Sequence, residues 1–155
     1  MSKKFKSLIP IFLILASIFF IYFLHMYYFH DPINQSKKWY QGYKDFIVDS
    51  AAIASNYNRV LVSNKLDQTL NFYLFYLNYD PKKFLEIDGG RVSGGFGEND
   101  NHLMNIFFKQ DLSYEENKKN AKTLFVGTIQ ELGGAKNIIK EYKFLNGETS
   151  AVIAE

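Results

Sequence analysis

Residues 70–81, from Leu70 to Pro81, read LNFYLFYLNYDP. Eight of the twelve are aromatic or leucine, and five are aromatic. Such a stretch can lie in a membrane, form a sticky surface, or build the core of a soluble domain, and the choice decides the fold. Its contiguous apolar run, Phe72 to Leu77, is far shorter than the about twenty residues a helix needs to cross a bilayer. Read as a helix, it places Leu70, Tyr73, Leu74 and Leu77 on one face, with Asn71 and Asn78 opposite. Phe72, Phe75, Tyr76 and Tyr79 widen the apolar side, which suits a helix packed on a sheet and touched by a neighbour. Asp67 is expected to cap its start. Pro81 is expected to end it, because the residue before a proline avoids helical geometry.

The flanking segments support the buried reading. RVLVS (Arg59–Ser63) is a short β-branched run, suited to a strand covered on both faces. Before it, Trp39, Tyr43, Ile47, Ala51 and Ala54 recur at three- and four-residue spacing, which predicts a helix over 36–56. Gly42 inside that helix would cost about 1 kcal/mol relative to alanine. After it, a glycine-rich loop over 84–101 is expected, opening with a short strand. HLMNIFF (His102–Phe108) reads as one strand. Ser113 and Glu116 have capping-box spacing before a short exposed helix. TLFVGT (Thr123–Thr128) is another buried-type strand leading into a helical turn at Gln130–Leu132. At the C-terminus two strand-like runs flank Asn146-Gly147, a pair suited to a type I′ turn. That turn sets Phe144 opposite Thr149, Tyr142 opposite Ala151 and Lys140 opposite Ile153, so Tyr142, Phe144, Ala151 and Ile153 share a face. The predicted fold class is α/β: one N-terminal transmembrane helix followed by a small mixed-sheet α/β domain ending in a β-hairpin.

The membrane segment is Leu8 to Phe29, twenty-two residues with no charge unless His25 is protonated. That is long enough to span a bilayer. A cleaved signal peptide would have a shorter apolar core and a small-x-small site, whereas this run ends in HMYYFHDP. Lys3, Lys4 and Lys6 precede it, so the positive-inside rule keeps residues 1–7 in the cytoplasm and places 30–155 outside. Tyr22, Tyr27 and Tyr28 cluster towards the outer end as an interfacial belt, and Asp31-Pro32 is expected to stop the helix. The expected location is the cell membrane, single-pass, in contact with the lipid bilayer.

Three of the 18 basic residues lie before the span, leaving 15 against 16 acidic ones beyond it, a net charge near −1. The basic excess therefore belongs to the N-terminal tail and gives no basic patch for nucleic acid. Cysteine is absent, which excludes disulfides and thiolate metal sites. No His/Asp/Glu grouping has metal-ligand spacing, and no cofactor motif is present: GGRVSGGFGEND has neither GxGxxG nor a P-loop. If the domain binds a ligand, Asn99, Asp100 and the backbone of Gly94, Gly95 and Gly97 are the first candidates in that loop. Ser93 near His102 lacks an acid to orient the histidine. His25 and His30 sit where a polar interfacial role is the ordinary explanation. Asp31, leaving the membrane next to His30, is a weak candidate general base towards a lipid-linked substrate. Termination of the helix by Asp-Pro is its simpler account. Asn34–Ser36 fits a glycosylation sequon.

Taken in order, the aromatic-rich end of the membrane helix, WYQGYKDF, RVLVSNKL, NFYLFYLNYDPKKF, TLFVGTIQEL and YKFLNGETSAVI resemble a known arrangement. The chain is similar to the C-terminal part of bacterial C-type glycosyltransferases, close to the protein O-mannosyltransferase group. The resemblance runs from Phe29 to Glu155, is most specific in FYLFYLNYDPKKF and TLFVGTIQEL, and is poorest in the glycine-rich loop. Those enzymes are multi-pass and take sugar from a polyprenyl-phosphate donor; a last membrane helix leads into an extracytoplasmic α/β domain. Their catalytic acid follows the first membrane helix, whereas the surroundings of Asp31 match the last, so the resemblance assigns Asp31 no catalytic role. It implies an accessory domain, split or truncated from its catalytic machine, that works with a multi-pass glycosyltransferase subunit. The alternatives are a free-standing module binding an envelope glycan or protein, and an enzyme active by itself.

Overall fold

The computed structural model describes residues 3–86, 102–114 and 122–155. It has one long apolar N-terminal helix followed by a mixed α/β domain with an open six-stranded sheet. Helix α1 (Lys3–His25) continues through a π-helical turn, Met26–His30, into the short helix α2 (Asp31–Asn34). The stretch Leu8–Asn34 is long and apolar enough to cross a membrane, and its apolar side chains are exposed all round.

The helical path thus runs through Asp31-Pro32, where the sequence predicts a stop. The π turn supplies the physical reason. The Asp31 N–H bonds to the Met26 carbonyl, five residues back. The wider turn relieves the collision a proline ring makes with the carbonyl four residues before it. Pro32 then falls in the first turn of α2, where its missing N–H has no partner to lose. The same turn brings the rings of His25 and His30 to 5.0 Å, with Phe29 stacked on His25.

Helix α3 spans Tyr43–Ile53, not 36–56 as periodicity predicts. Residues 35–42 form turns. Gly42 holds φ +84°, a left-handed conformation that no helix interior contains, and it caps α3 from outside. A 3-10 turn, Ala54–Asn56, leads to β1 (Arg59–Ser63), which has the predicted bounds and is buried on both faces.

Helix α4 (Thr69–Tyr76) starts one residue before the LNFYLFYLNYDP stretch and takes in its first seven residues. Tyr73 is wholly buried, while Leu70, Phe72, Leu74, Tyr76, Leu77 and Tyr79 pack partly against the core. Phe75, counted on the apolar side by its spacing, is instead 71% exposed. Asp67 does not cap α4. Its carboxylate accepts the Tyr40 hydroxyl at 2.6 Å, and the chain enters the helix through Gln68 at φ +54°. Nor does Pro81 end it. Asn78 turns left-handed (φ +48°), its N–H bonding to Phe75 and that of Tyr79 to Leu74, the paired bonds of a Schellman cap. Pro81 opens helix α5 (Pro81–Glu86), with Asp80 accepting the Lys82 N–H, so Phe84–Glu86 is helix and not strand.

The predicted strand over 102–108 is a tight hairpin, β2 (His102–Leu103) and β3 (Ile106–Lys109), reversed at Met104, φ +52°. Strand β4 (Thr123–Gly127) is buried throughout and leads into α6 (Ile129–Leu132). The chain closes with β5 (Ile138–Lys143) and β6 (Thr149–Ala154). The order across the sheet is β2-β3-β1-β4-β6-β5, with β3, β1 and β4 parallel and the β2-β3, β4-β6 and β6-β5 pairs antiparallel.

The terminal hairpin keeps Tyr142 opposite Ala151 and Lys140 opposite Ile153, as predicted. Nearer the turn the register slips: Lys143, not Phe144, faces Thr149, which leaves Ser150 as an extra residue. Only Gly147 has positive φ (+87°), and its N–H bonds to the Phe144 carbonyl. The loop is therefore three residues ending in a left-handed glycine, and not a two-residue type I′ turn. Tyr142, Phe144, Ala151 and Ile153 nevertheless share the face packed under α3 and α4. The other face carries Leu61, Phe125, Val152 and Ala154 beneath Leu112, Tyr114 and Leu132.

Candidate functional site

Open α/β sheets bind ligands outside the carboxyl ends of their parallel strands. At that edge a groove of about 810 Å³ lies between the 36–43 turn and the ends of β1, β4 and β6. The turn supplies Lys37, Lys38, Tyr40 and Tyr43. The segment after β1 supplies Lys65 and Asp67, and Thr128 follows β4. Glu148 and Ser150, from the terminal hairpin, complete the wall.

A set of hydrogen bonds fixes this frame. Glu131 is almost buried; one of its oxygens accepts the Ser63 hydroxyl at 2.8 Å, and the other accepts the Thr128 hydroxyl at 2.8 Å. Thr128 and Glu131 form a reciprocal capping box at the start of α6, tying the end of β4 to that of β1. Lys65 leans towards Glu131 (3.6 Å) and the exposed Asp111 (3.8 Å). Facing them, Tyr40 holds φ +51°, donates to Asp67 and accepts from Gln68 Nε2 at 3.3 Å. Two non-glycine residues, Tyr40 and Gln68, are thus held left-handed on the two segments that meet here, conformations that persist only where the surroundings impose them.

Electrostatically the groove is mixed. Lys37, Lys38 and Lys65 face Asp67 and Glu148. Lys37 and Lys38 are exposed, with no carboxylate among the described residues within ion-pair distance. The bond to Asp67, followed by burial, raises the Tyr40 phenol above its ordinary value. Burial, followed by the charge of Asp67, raises Tyr43 further. Both stay protonated near neutrality and serve as donors. Ser150 is 5% exposed, and its hydroxyl has no hydrogen-bond partner. It lies beneath Gly42, whose missing Cβ would sit 3.9 Å from the Ser150 oxygen.

A second hollow of about 440 Å³ lies beside α3 and β5. There the Asp49 carboxylate accepts both the Lys140 ammonium and the Tyr142 hydroxyl, each at 2.6 Å. Those two bonds hold Asp49 below the usual carboxylate range, while burial and the bond to Asp49 push Tyr142 up. This is a cross-link between helix and hairpin: its tyrosine is poorly acidic, and one carboxylate oxygen, Oδ2 of Asp49, takes both bonds.

Of the site candidates read from the sequence, those among the described residues line neither place. Asp31 lies within the continuous helix and lines neither cavity. Gly94, Gly95, Gly97, Asn99, Asp100 and Ser93, with the Ser113–Glu116 cap pairing through its second member, lie outside the described residues. His102 stacks on Phe107, its cross-strand neighbour. Asn34 of the sequon is exposed, but Ser36 is buried with its hydroxyl on the Ile33 carbonyl. Among the described residues no three His, Asp or Glu side chains come together as a metal site. Comparison with protein-family models, with curated proteins and with solved structures gave no match.

Sequence reasoning missed the groove residues Lys37, Lys38, Lys65 and Ser150. One local signal points to part of it: WYQGY, a glycine inside an otherwise helical spacing, directly after two lysines.

Proposed function

We propose that the chain is a membrane-anchored, extracytoplasmic accessory domain without its own catalytic centre, serving a multi-pass glycosyltransferase that uses polyprenyl-phosphate-linked sugar. The family part of this reading rests on the resemblance of FYLFYLNYDPKKF and TLFVGTIQEL. The observation that carries the accessory role is the unbroken passage from α1 through the π turn and α2 to the 35–42 turn. With no linker between span and domain, the domain works at the membrane surface. Lys3, Lys4 and Lys6, by the positive-inside rule, support the outer side for it.

The test compares membranes from cells with and without this gene for transfer of radiolabelled sugar from a polyprenyl-phosphate donor. Membranes lacking the chain should lose transfer, the full chain should restore it, and the purified chain alone should transfer nothing. Transfer by the purified chain, abolished by Asp31→Asn, would instead make it an enzyme. The groove with its tyrosines and lysines favours a second reading, a free-standing module for envelope glycans or proteins. Unchanged transfer in the deletion, together with direct glycan binding by the chain, would select it.

A further inference from the structure

We propose that the groove between the 36–43 turn and the ends of β1, β4 and β6 binds a phosphoryl group, supplied by the headgroup of a membrane phospholipid. The inference needs the anchor and the groove, and holds whether or not the partner is a glycosyltransferase.

Three features of the structure meet here. The first is the unpaired hydroxyl of Ser150. It is buried in the groove wall with its proton unused. Such groups are rare because an unmade hydrogen bond is costly, and a ligand oxygen would satisfy it. The second is charge. Lys37 and Lys38 are free to meet an anion, whereas Lys65 is drawn to Glu131 and Asp111, and one oxygen of Asp67 is taken by Tyr40. The Tyr40 bond leaves the charge of Asp67 in place and Glu148 is the other acid on the wall, so the lining as a whole, three lysines against two carboxylates, favours an anion by one unit. Tyr43, held protonated, adds a neutral donor. Lysine ammoniums, a hydroxyl and a phenol, with no bidentate arginine, form the donor set of a point-charge phosphate site.

The third observation is position. The twenty-two residues Leu8–Phe29 rise about 33 Å as a helix, against about 30 Å of hydrocarbon. The five residues from His30 to Asn34 climb about 7 Å more, roughly the depth of one headgroup layer. Lys37 and Lys38 follow within four residues, so their ammoniums reach the outer phosphates. Beside them Ile33 and Trp39 are exposed apolar side chains of the kind found at such interfaces.

Trp39 is the chain's single tryptophan and stands between Lys38 and Tyr40, so its emission reports on this groove. The full chain is purified in maltoside micelles, which carry no phosphate. It is titrated separately with phosphatidylglycerol incorporated into the micelles and with inorganic phosphate. Both should produce a saturable change in Trp39 emission, and phosphate should displace the lipid. The doubly substituted chain, Lys37→Gln with Lys38→Gln, should bind at least tenfold more weakly. Ser150→Ala should weaken binding severalfold while melting no lower than wild type. Ser150→Ala separates a built site from general attraction, because removing a neutral hydroxyl leaves the long-range field unchanged. Saturation by inorganic phosphate alone would overturn the lipid as the source. No saturable response to either probe, or equal binding by both variants, would overturn the phosphoryl site. Neither result depends on sugar transfer, so the accessory role stands or falls separately.

Discussion

Tyr73, at the centre of the opening stretch, offers the sharpest test of why that stretch is core. Its ring is wholly buried, edge-on to Phe108, and its hydroxyl lies 2.6 Å from Ser50 Oγ. Ser50, also wholly buried, donates its one proton to the Ile47 carbonyl at 3.0 Å. Tyr73 must therefore be the donor between the two hydroxyls. This direction makes the single substitutions unequal. Tyr73→Phe removes a donor and leaves Ser50 bonded to Ile47, a net loss of about 1 kcal/mol. Ser50→Ala removes the acceptor and strands a buried phenolic O–H, costing about 2 kcal/mol.

In the double variant no polar group is left stranded, so it should be no less stable than Ser50→Ala alone. The coupling between the two sites should then be at least about 1 kcal/mol. At about 4 °C per kcal/mol for a domain of this size, Tyr73→Phe should lower Tm by about 4 °C and Ser50→Ala by about 8 °C. Thermal unfolding of the full chain in maltoside micelles, followed by near-ultraviolet circular dichroism, measures both. Tyr73→Ala, which opens a cavity, should cost about 3–5 kcal/mol. Equal losses from Tyr73→Phe and Ser50→Ala, or strictly additive losses in the double variant, would refute the assigned direction.

Gly42→Ala should cost about 1 kcal/mol purely through its left-handed backbone, since the nearest atom to the new Cβ is 3.6 Å away; Gly134→Ala, with open space and no positive φ, is the control and should melt unchanged. Glu131→Gln should cost about 1–3 kcal/mol, because its amide would meet the hydroxyl and N–H donors of Ser63 and Thr128 with a donor of its own, and Thr128→Ser should retain the cap that Thr128→Ala loses. Alkali should also destabilise the fold. The Glu155 carboxylate, accepting the Tyr57 hydroxyl at 2.7 Å, pushes that phenol up to about 12, and burial raises Tyr43, Tyr73 and Tyr142 as well. These phenols hold their protons more tightly folded than unfolded, so their stability is complete below about pH 10 and is lost as pH rises through 12. A Tm that stays level between pH 10 and 12 would contradict this, and Glu155→Gln should bring the Tyr57 titration, read at 295 nm, back towards 10.

What could be read from the sequence was set by the range of the interactions. β1 and β4 announce themselves because a strand buried on both faces is apolar through its middle on both sides, as VLV in RVLVS and LFV in TLFVG are. The shared face of Tyr142, Phe144, Ala151 and Ile153 follows from a period of two and survives the bulge at Ser150. The start of α3 was hidden because Trp39 and Tyr43 keep helical spacing across a glycine whose φ the spacing cannot reveal. Phe75 misled for a related reason: a hydrophobic period shows which residues can face a core, and among the described residues α4, eight residues long, has no second neighbour covering that side. Apart from the WYQGY signal, the groove lay beyond local reasoning. Its residues sit near positions 37, 65, 128 and 150, and they meet only because β1 and β4 run parallel while β6 returns antiparallel beside them.

The same distinction governs Asp31-Pro32. Locally the pair is a helix terminator, and a chain that stopped there would hang its domain on a free joint. One extra residue in the preceding turn changes the outcome, since the Asp31 N–H reaches Met26 and the helix passes the proline intact. Gln35 then bonds back to Asp31, Trp39 to Gln35, and Gln41 to Ser36, so hydrogen bonds run without a gap from the span into the turn that forms the groove wall. The height of that wall is set by the number of helical residues between Phe29 and Lys37, and not by a tether. A π turn that looks like a defect in a long apolar helix is thus the feature that fixes where the groove stands relative to that helix.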